Sequence, residues 1–168
     1  MMQNDFEIAV SYWLAVNEIR LVFLLGCIHR MPADCIGKDG RSIVMYNIHP
    51  ADPLAHGGQG MYGLAPHRHV LAEILDQITR EQKGIEEEFF TWPTVHEVTA
   101  EYDQGSPLLT HAVRISTAII EKAQELQRAG QPLDEAAKML QALVLPCEHL
   151  LLPAAVNLAC QRILVAKG

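Results

Sequence analysis

Ile43-Val44-Met45-Tyr46-Asn47-Ile48-His49-Pro50 runs from an apolar strand into an amide, an imidazole and a proline, and its reading decides the fold. Ile43 to Tyr46 is the continuous apolar pattern of a strand buried on both faces, ending at Asn47. Leu21 to Leu25 is a second such run, closed by Gly26. A short helix around Pro32 to Ile36 and the Gly37-Lys38-Asp39-Gly40 turn join the two. Strand, helix and strand in that order predict an α/β protein with a mostly parallel sheet flanked by helices. Polar side chains at the carboxyl end of such a strand stand where open α/β sheets bind ligands.

Working outward, Phe6 to Glu18 carries apolar residues near helical spacing, with Asp5 as its cap. Pro50 to Pro66, rich in glycine and proline, reads as a loop over the strand ends. Arg68 to Lys83 places Val70, Leu71, Ile74, Leu75 and Ile78 on one face of a helix. Thr94 to Thr99 alternates and is β-branched, a strand. Leu108 to Ile115 reads as another, reached through the tight Asp103-Gln104-Gly105-Ser106-Pro107 corner. Thr117 to Ala129 and Asp134 to Val165 are helical, with Pro146 and Pro153 expected to kink or divide the last helix. No internal repeat or second domain is visible, so residues 1–168 form one domain.

Composition narrows the classes. The chain is 49% hydrophobic and 20% charged, ordinary for a globular protein. A net charge of −7 with no basic run excludes a nucleic-acid partner, because phosphate backbones demand clustered Lys and Arg. Cys27, Cys35, Cys147 and Cys160 lack CxxC spacing and read as reduced, buried thiols of a cytoplasmic protein. Leu21 to Leu25, taken as the longest apolar run, is too short for a bilayer, and Asp5 and Glu7 do not suit a signal peptide, so no membrane partner is expected.

The chemistry-bearing residues are Asn47, His49 and Asp103. An amide N–H donates to a developing oxyanion, worth ~3 kcal/mol. An imidazole polarises a carbonyl or moves a proton, and a carboxylate orients it or takes an amine proton through water. The same three also suit a turn start, a strand end and an Asx-turn before Gly105, and spacing alone leaves both readings open.

Four blocks together resemble the formyltransferase family: Leu24-Leu25-Gly26-Cys27-Ile28-His29-Arg30-Met31, Asn47-Ile48-His49-Pro50, His96-x-Val98-Thr99-x3-Asp103-x-Gly105-x-Pro107 and Glu148-His149-x3-Pro153. They stand in family order and cover roughly residues 6 to 160. The resemblance implies a Rossmann-like formyltransferase fold and transfer of a formyl group from 10-formyltetrahydrofolate to a primary amine through a tetrahedral intermediate. Glycinamide ribonucleotide, in purine biosynthesis, is the default acceptor. By match, Asn47 would steady the oxyanion, His49 would polarise the formyl oxygen, and Asp103 would hold His49 and a relay water. Ile28, His29, Arg30 and Met31, with Thr99, Ala100, Glu101 and Tyr102, would line the pterin pocket, and Glu148 would meet the sugar end of the amine substrate. Hydrolysis of the same formylfolate is one alternative; a non-catalytic partial member that binds folate or a partner chain is another.

Three departures accompany the resemblance. The family pattern opens with a strand and a glycine-rich phosphate loop; here roughly sixty residues, two βα units, are expected to be lacking. Leu21 to Leu25 would then be an apolar edge, covered in a homo-oligomer or by a complementing chain. His49-Pro50-Ala51-Asp52-Pro53 stands where the family has HPS and leucines, and Arg30 replaces an apolar residue. His49, Asp52, His56, His67 and His69 also raise the question of a metal, but His67-x-His69 sends its rings to different helix faces, and surface histidines with no metal are expected. Glu86 to Glu88 reads as a solvated turn.

Overall fold

The computed structural model describes residues 3–26, 31 and 43–165. Helix α1 (Gln3–Val16) leads to strand β1 (Leu21–Leu24) and then β2 (Val44–His49). A one-turn helix α2 (Pro53–His56) and helix α3 (Ala65–Glu81) follow. Four short strands come next: β3 (Phe90–Thr91), β4 (Thr94–Glu97), β5 (Pro107–Thr110) and β6 (Val113–Arg114). Helices α4 (Thr117–Arg128) and α5 (Asp134–Val165) complete the chain. The Pro32 to Ile36 helix, the Gly37 to Gly40 turn, Cys27 and Cys35 lie outside the described residues.

The main sheet has the order β1-β2-β4-β5, and β3 and β6 form a separate ribbon. The α/β class holds, but the mostly parallel pairing does not. Only β1 and β2 run parallel; β2 with β4 and β4 with β5 are antiparallel. Leu108 to Ile115 is not one strand either. Pro93 separates β3 from β4, and a proline cannot donate to a ladder. Leu109 therefore pairs with Val95 of β4, whereas Val113 pairs with Thr91 of β3. Other expectations shift by less. Asp5 lies inside α1 instead of capping it, and β2 continues through Asn47 to His49. Every residue of β1 is half-buried, not enclosed on both faces.

Three clusters hold the layers together. Val70, Leu71, Ile74 and Leu75 of α3 pack with Ile119, Ile120 and Ala123 of α4 and Ala136, Leu140 and Val144 of α5. Tyr46, Val95 and Leu108 cover one face of the sheet against Leu151, Ala155 and Ala159, the second half of α5. Met45 faces the other way, toward Leu14 of α1 and Met31. Alternation along β2 then puts Asn47 and His49 on the Met45 face, while Tyr46 belongs to the α5 face.

Helix α5 runs as one element through Pro146 and Pro153, so neither divides it. Leu21 to Leu25 is not the chain's most membrane-like segment: α5, at 32 residues with a mean hydropathy of 1.6 in its most apolar window, is long and apolar enough to cross a bilayer. Here it packs on α3, α4, β4 and β5. The thiols differ from expectation too, with Cys147 half-buried and Cys160 exposed.

Gly105 fixes the corner between β4 and β5. A Cβ there would stand 1.8 Å from the Glu97 carbonyl oxygen, and the neighbouring Ser106 carbonyl accepts from Glu97 N at 2.9 Å. Gly105→Ala must push backbone against backbone, and is expected to cost about 1–3 kcal/mol. Urea unfolding should show a lower midpoint at an unchanged slope.

Candidate active site

Antiparallel pairing places Asn47 directly opposite His96, and His49 opposite Thr94. Directly opposed residues share a face, so one strand end presents an amide and two imidazoles together. Asp103 arrives from the β4–β5 connection. Its backbone is left-handed (φ 55), a conformation that Asp tolerates better than most residues. Gly58 N donates to Asp103 Oδ2 at 2.9 Å, tying the loop after α2 to the loop after β4. Gly57 permits that approach, because a Cβ there would be 2.6 Å from the Asp103 Cβ.

The three predicted catalytic residues converge. His49 Nδ1 lies 3.9 Å from Asp103 Oδ2, and His96 Nε2 lies 3.4 Å from Oδ1. The His96 contact is long and off-line, so the buried Nε2 has no well-formed hydrogen bond. Each ring has a carbonyl on its other nitrogen: His56 O is 2.9 Å from His49 Nε2, and Glu97 O is 3.0 Å from His96 Nδ1. A ring nitrogen beside a carbonyl must carry the proton. In their neutral forms both rings therefore turn a lone pair toward the same carboxylate. The group is one proton short, and a proton arriving from the cleft would bridge a ring nitrogen to Asp103.

Electrostatics keep it that way at rest. Burial pushes the His49 pKa below its ordinary value, more than Asp103 raises it. Burial also works against the charged form of Asp103, yet the His96 contact, the Gly58 N–H and the two imidazoles hold its carboxyl below the usual range. A neutral His49 ring beside an ionised Asp103 carboxylate is the result.

These groups line a cleft of about 720 Å³. Leu24, Met31, Ile48 and Val98 supply apolar wall; Thr99, Ala100, Glu101 and Tyr102 form one rim. Thr99 Oγ1 donates to the Glu101 carbonyl at 2.9 Å and shapes that rim. Glu148 lines the far side from α5, beside Leu145 and His149, and burial raises its pKa. Ile28, His29 and Arg30 lie outside the described residues. The solvated turn at Glu86 to Glu88 is as expected, all three exposed.

Three histidines that line the cleft were not among the predicted residues: His67, His96, and His149 beside Glu148. His96 sat within a quoted motif, but its place opposite Asn47 depends on register, which a single strand does not reveal. His67, expected at the surface, is 1% exposed, lines the cleft and has an unpartnered Nδ1. Its signal was present: His67 stands three and four residues before Val70 and Leu71, on the apolar face of α3. His69 faces out, so the two rings do diverge. Among the described residues no three His, Cys, Asp or Glu side chains are placed to share a metal ion.

Comparison with known proteins agrees with this fold. No family model matches the sequence. A solved phosphoribosylglycinamide formyltransferase from Campylobacter jejuni superposes with a TM-score of 0.50, at 17% identity, over 93% of this chain and 63% of its own. This chain has the formyltransferase fold. It is also similar in sequence to the chloroplastic phosphoribosylglycinamide formyltransferase of Vigna unguiculata, 30% identical over 148 residues, or 88% of this chain. The Arabidopsis thaliana protein of the same name is 33% identical over 97 residues, 58% of this chain. This chain spans 38% and 28% of the length of those two relatives.

His67 gives the domain an acid-sensitive point. Burial, then the neighbouring His49, lower its pKa from 6.5 to about 4. The unfolded chain takes up that proton below pH 6.5 while the folded one refuses it. Its contribution is full above pH 6.5 and falls away toward pH 4, a loss of about 3 kcal/mol. His67→Gln should flatten the fall in stability across that window, measured by urea unfolding at a series of pH values.

Proposed function

We propose that the cleft transfers a formyl group from 10-formyltetrahydrofolate to a primary amine, with glycinamide ribonucleotide the default acceptor in purine biosynthesis. The observation that carries this reading is the convergence of the Asn47 amide, the His49 ring and the Asp103 carboxylate on one cleft of about 720 Å³. The amine nitrogen attacks the formyl carbon, and the carbonyl electron pair moves onto oxygen. The side-chain N–H of Asn47 donates to that oxyanion. The attacking nitrogen must then lose a proton, and N10 of the folate must gain one before the C–N10 bond breaks and the carbonyl re-forms.

His49 and Asp103 carry that proton. Nε2 of His49 is committed to the His56 carbonyl, so only Nδ1 faces the reaction. A neutral Nδ1 accepts the amine proton, Asp103 stabilises the imidazolium, and the proton passes on to N10. Polarisation of the formyl oxygen by His49 would need the ring already charged, which burial opposes. Asn47 is thus the main oxyanion donor in this reading, and His49 is a proton carrier. The apolar wall around Met31 and the rim Thr99 to Tyr102 suit a flat pterin, whose edges can bond a backbone strip. Glu148 would receive the amine substrate, and its raised pKa matches a carboxyl that waits for a cationic or hydroxylic partner.

Asp103→Asn keeps the shape but removes the charge that stabilises the imidazolium. Amine-dependent loss of formylfolate should fall about 10²–10⁴-fold in kcat, with folate affinity nearly retained. Consumption of formylfolate without any acceptor would replace transfer by hydrolysis. Folate binding without turnover in the unaltered chain would make it a binding member.

A further inference from the structure

A second set of imidazoles stands behind His49, outside the cleft. His56 closes α2, and its Nδ1 lies 3.0 Å from Nδ1 of His69 on α3, the rings edge to face. His56 Nε2 lies 3.5 Å from Oε2 of Glu73, one turn further along α3. Asp52 holds the start of α2 by accepting from Leu54 N at 2.9 Å. The backbone carbonyl of that same His56 is the acceptor for His49 Nε2.

We propose that His69 and Glu73 are positioning residues which, through His56, fix the tautomer and orientation of the His49 ring. The use His49 makes of this rests on the transfer reading; the hold itself rests on these contacts alone. Two ring nitrogens 3.0 Å apart need one proton between them. The Glu73 carboxylate favours the proton of His56 on Nε2, so His56 Nδ1 accepts from His69 Nδ1–H. A chain of oriented groups then runs from Glu73 through His56 and His69, and pins a short helix to α3. That helix has only one turn and no buried side chain besides Pro53, so these contacts, with the Gly58–Asp103 bond just beyond it, set where its last carbonyl points.

The arrangement is also sensitive to acid. A second proton on the pair puts N–H against N–H, and the contact must open. The groups facing His56 are Glu73 and His69 from α3 and Asp52 ahead of α2, with His49 reached through the carbonyl. Burial lowers the His56 pKa, outweighing Glu73 and Asp52, which raise it, while His69 lowers it too. Acidification should therefore release His49 together with the pair.

Long-range proton–nitrogen NMR spectra of the full chain, labelled at histidine and followed from about pH 8 to about pH 5, read this directly. The unaltered chain should show His49 as the Nε2–H tautomer, with that signature lost when the pair takes its second proton. His69→Ala and Glu73→Gln should each give a mixed His49 tautomer at neutral pH, and His69→Asn, whose amide N–H replaces the donor, should restore it and remove the acid step. A His49 signature identical in His69→Ala and the unaltered chain overturns the proposal. His69 and Glu73 are exposed on α3, so cooperative thermal unfolding should persist in both variants. In the transfer assay His69→Ala should lose about tenfold in kcat with KM for the formyl donor little changed. Absence of transfer in the unaltered chain would remove the transfer reading, while the NMR result still decides the hold on His49.

Discussion

One carboxylate ties the site together. Asp103 accepts from Gly58 N and faces His49 and His96, so it joins the loop after α2, the end of β2 and the end of β4. Each of those segments is a loop or a strand terminus with little core of its own. Chain ends of this kind are the first parts of a domain to open, unless a specific contact closes them. The left-handed backbone at Asp103 and the clearance left by Gly57 are what that contact costs locally. Strain of about 1–3 kcal/mol at such a residue persists only where surroundings over-determine it. Here the Gly58 N–H and the close packing of Gly57 on the Asp103 Cβ do so.

Legibility in the sequence followed how local each signal was. Asn47 and His49 could be read because an apolar strand ends on them, and alternation alone puts both on one face. Asp103 could be read as a site residue only through a motif, since its approach to His49 spans 54 positions of chain. The sheet's direction could not be read. Whether β4 enters beside β2 parallel or antiparallel depends on the path of residues 82–93, a turn-rich stretch with no period of its own. The division of Leu108 to Ile115 between two sheets was equally hidden, because both halves carry the same β-forming residues and only Pro93 on the partner side separates them. His67 is the instructive omission. A histidine on an otherwise apolar helix face was discounted by residue type, although its position on α3 was that of a core residue.

Helix α5 explains how a long apolar element comes to carry part of a polar cleft. Its first half, through Ala136, Leu140 and Val144, belongs to the core shared with α3 and α4. Its second half, through Leu151, Ala155 and Ala159, belongs to the core under the sheet. Residues 145–150 cross between the two, and of them Cys147 packs against the first. That is where Leu145, Glu148 and His149 face the cleft. Pro146 falls inside this bridge and lacks the N–H that would close a turn there, so the helix is least stiff where it passes the site. Both halves being anchored, the bridge cannot move far. The half-buried Glu148 carboxyl is therefore presented to the cleft from a segment that yields slightly but does not leave.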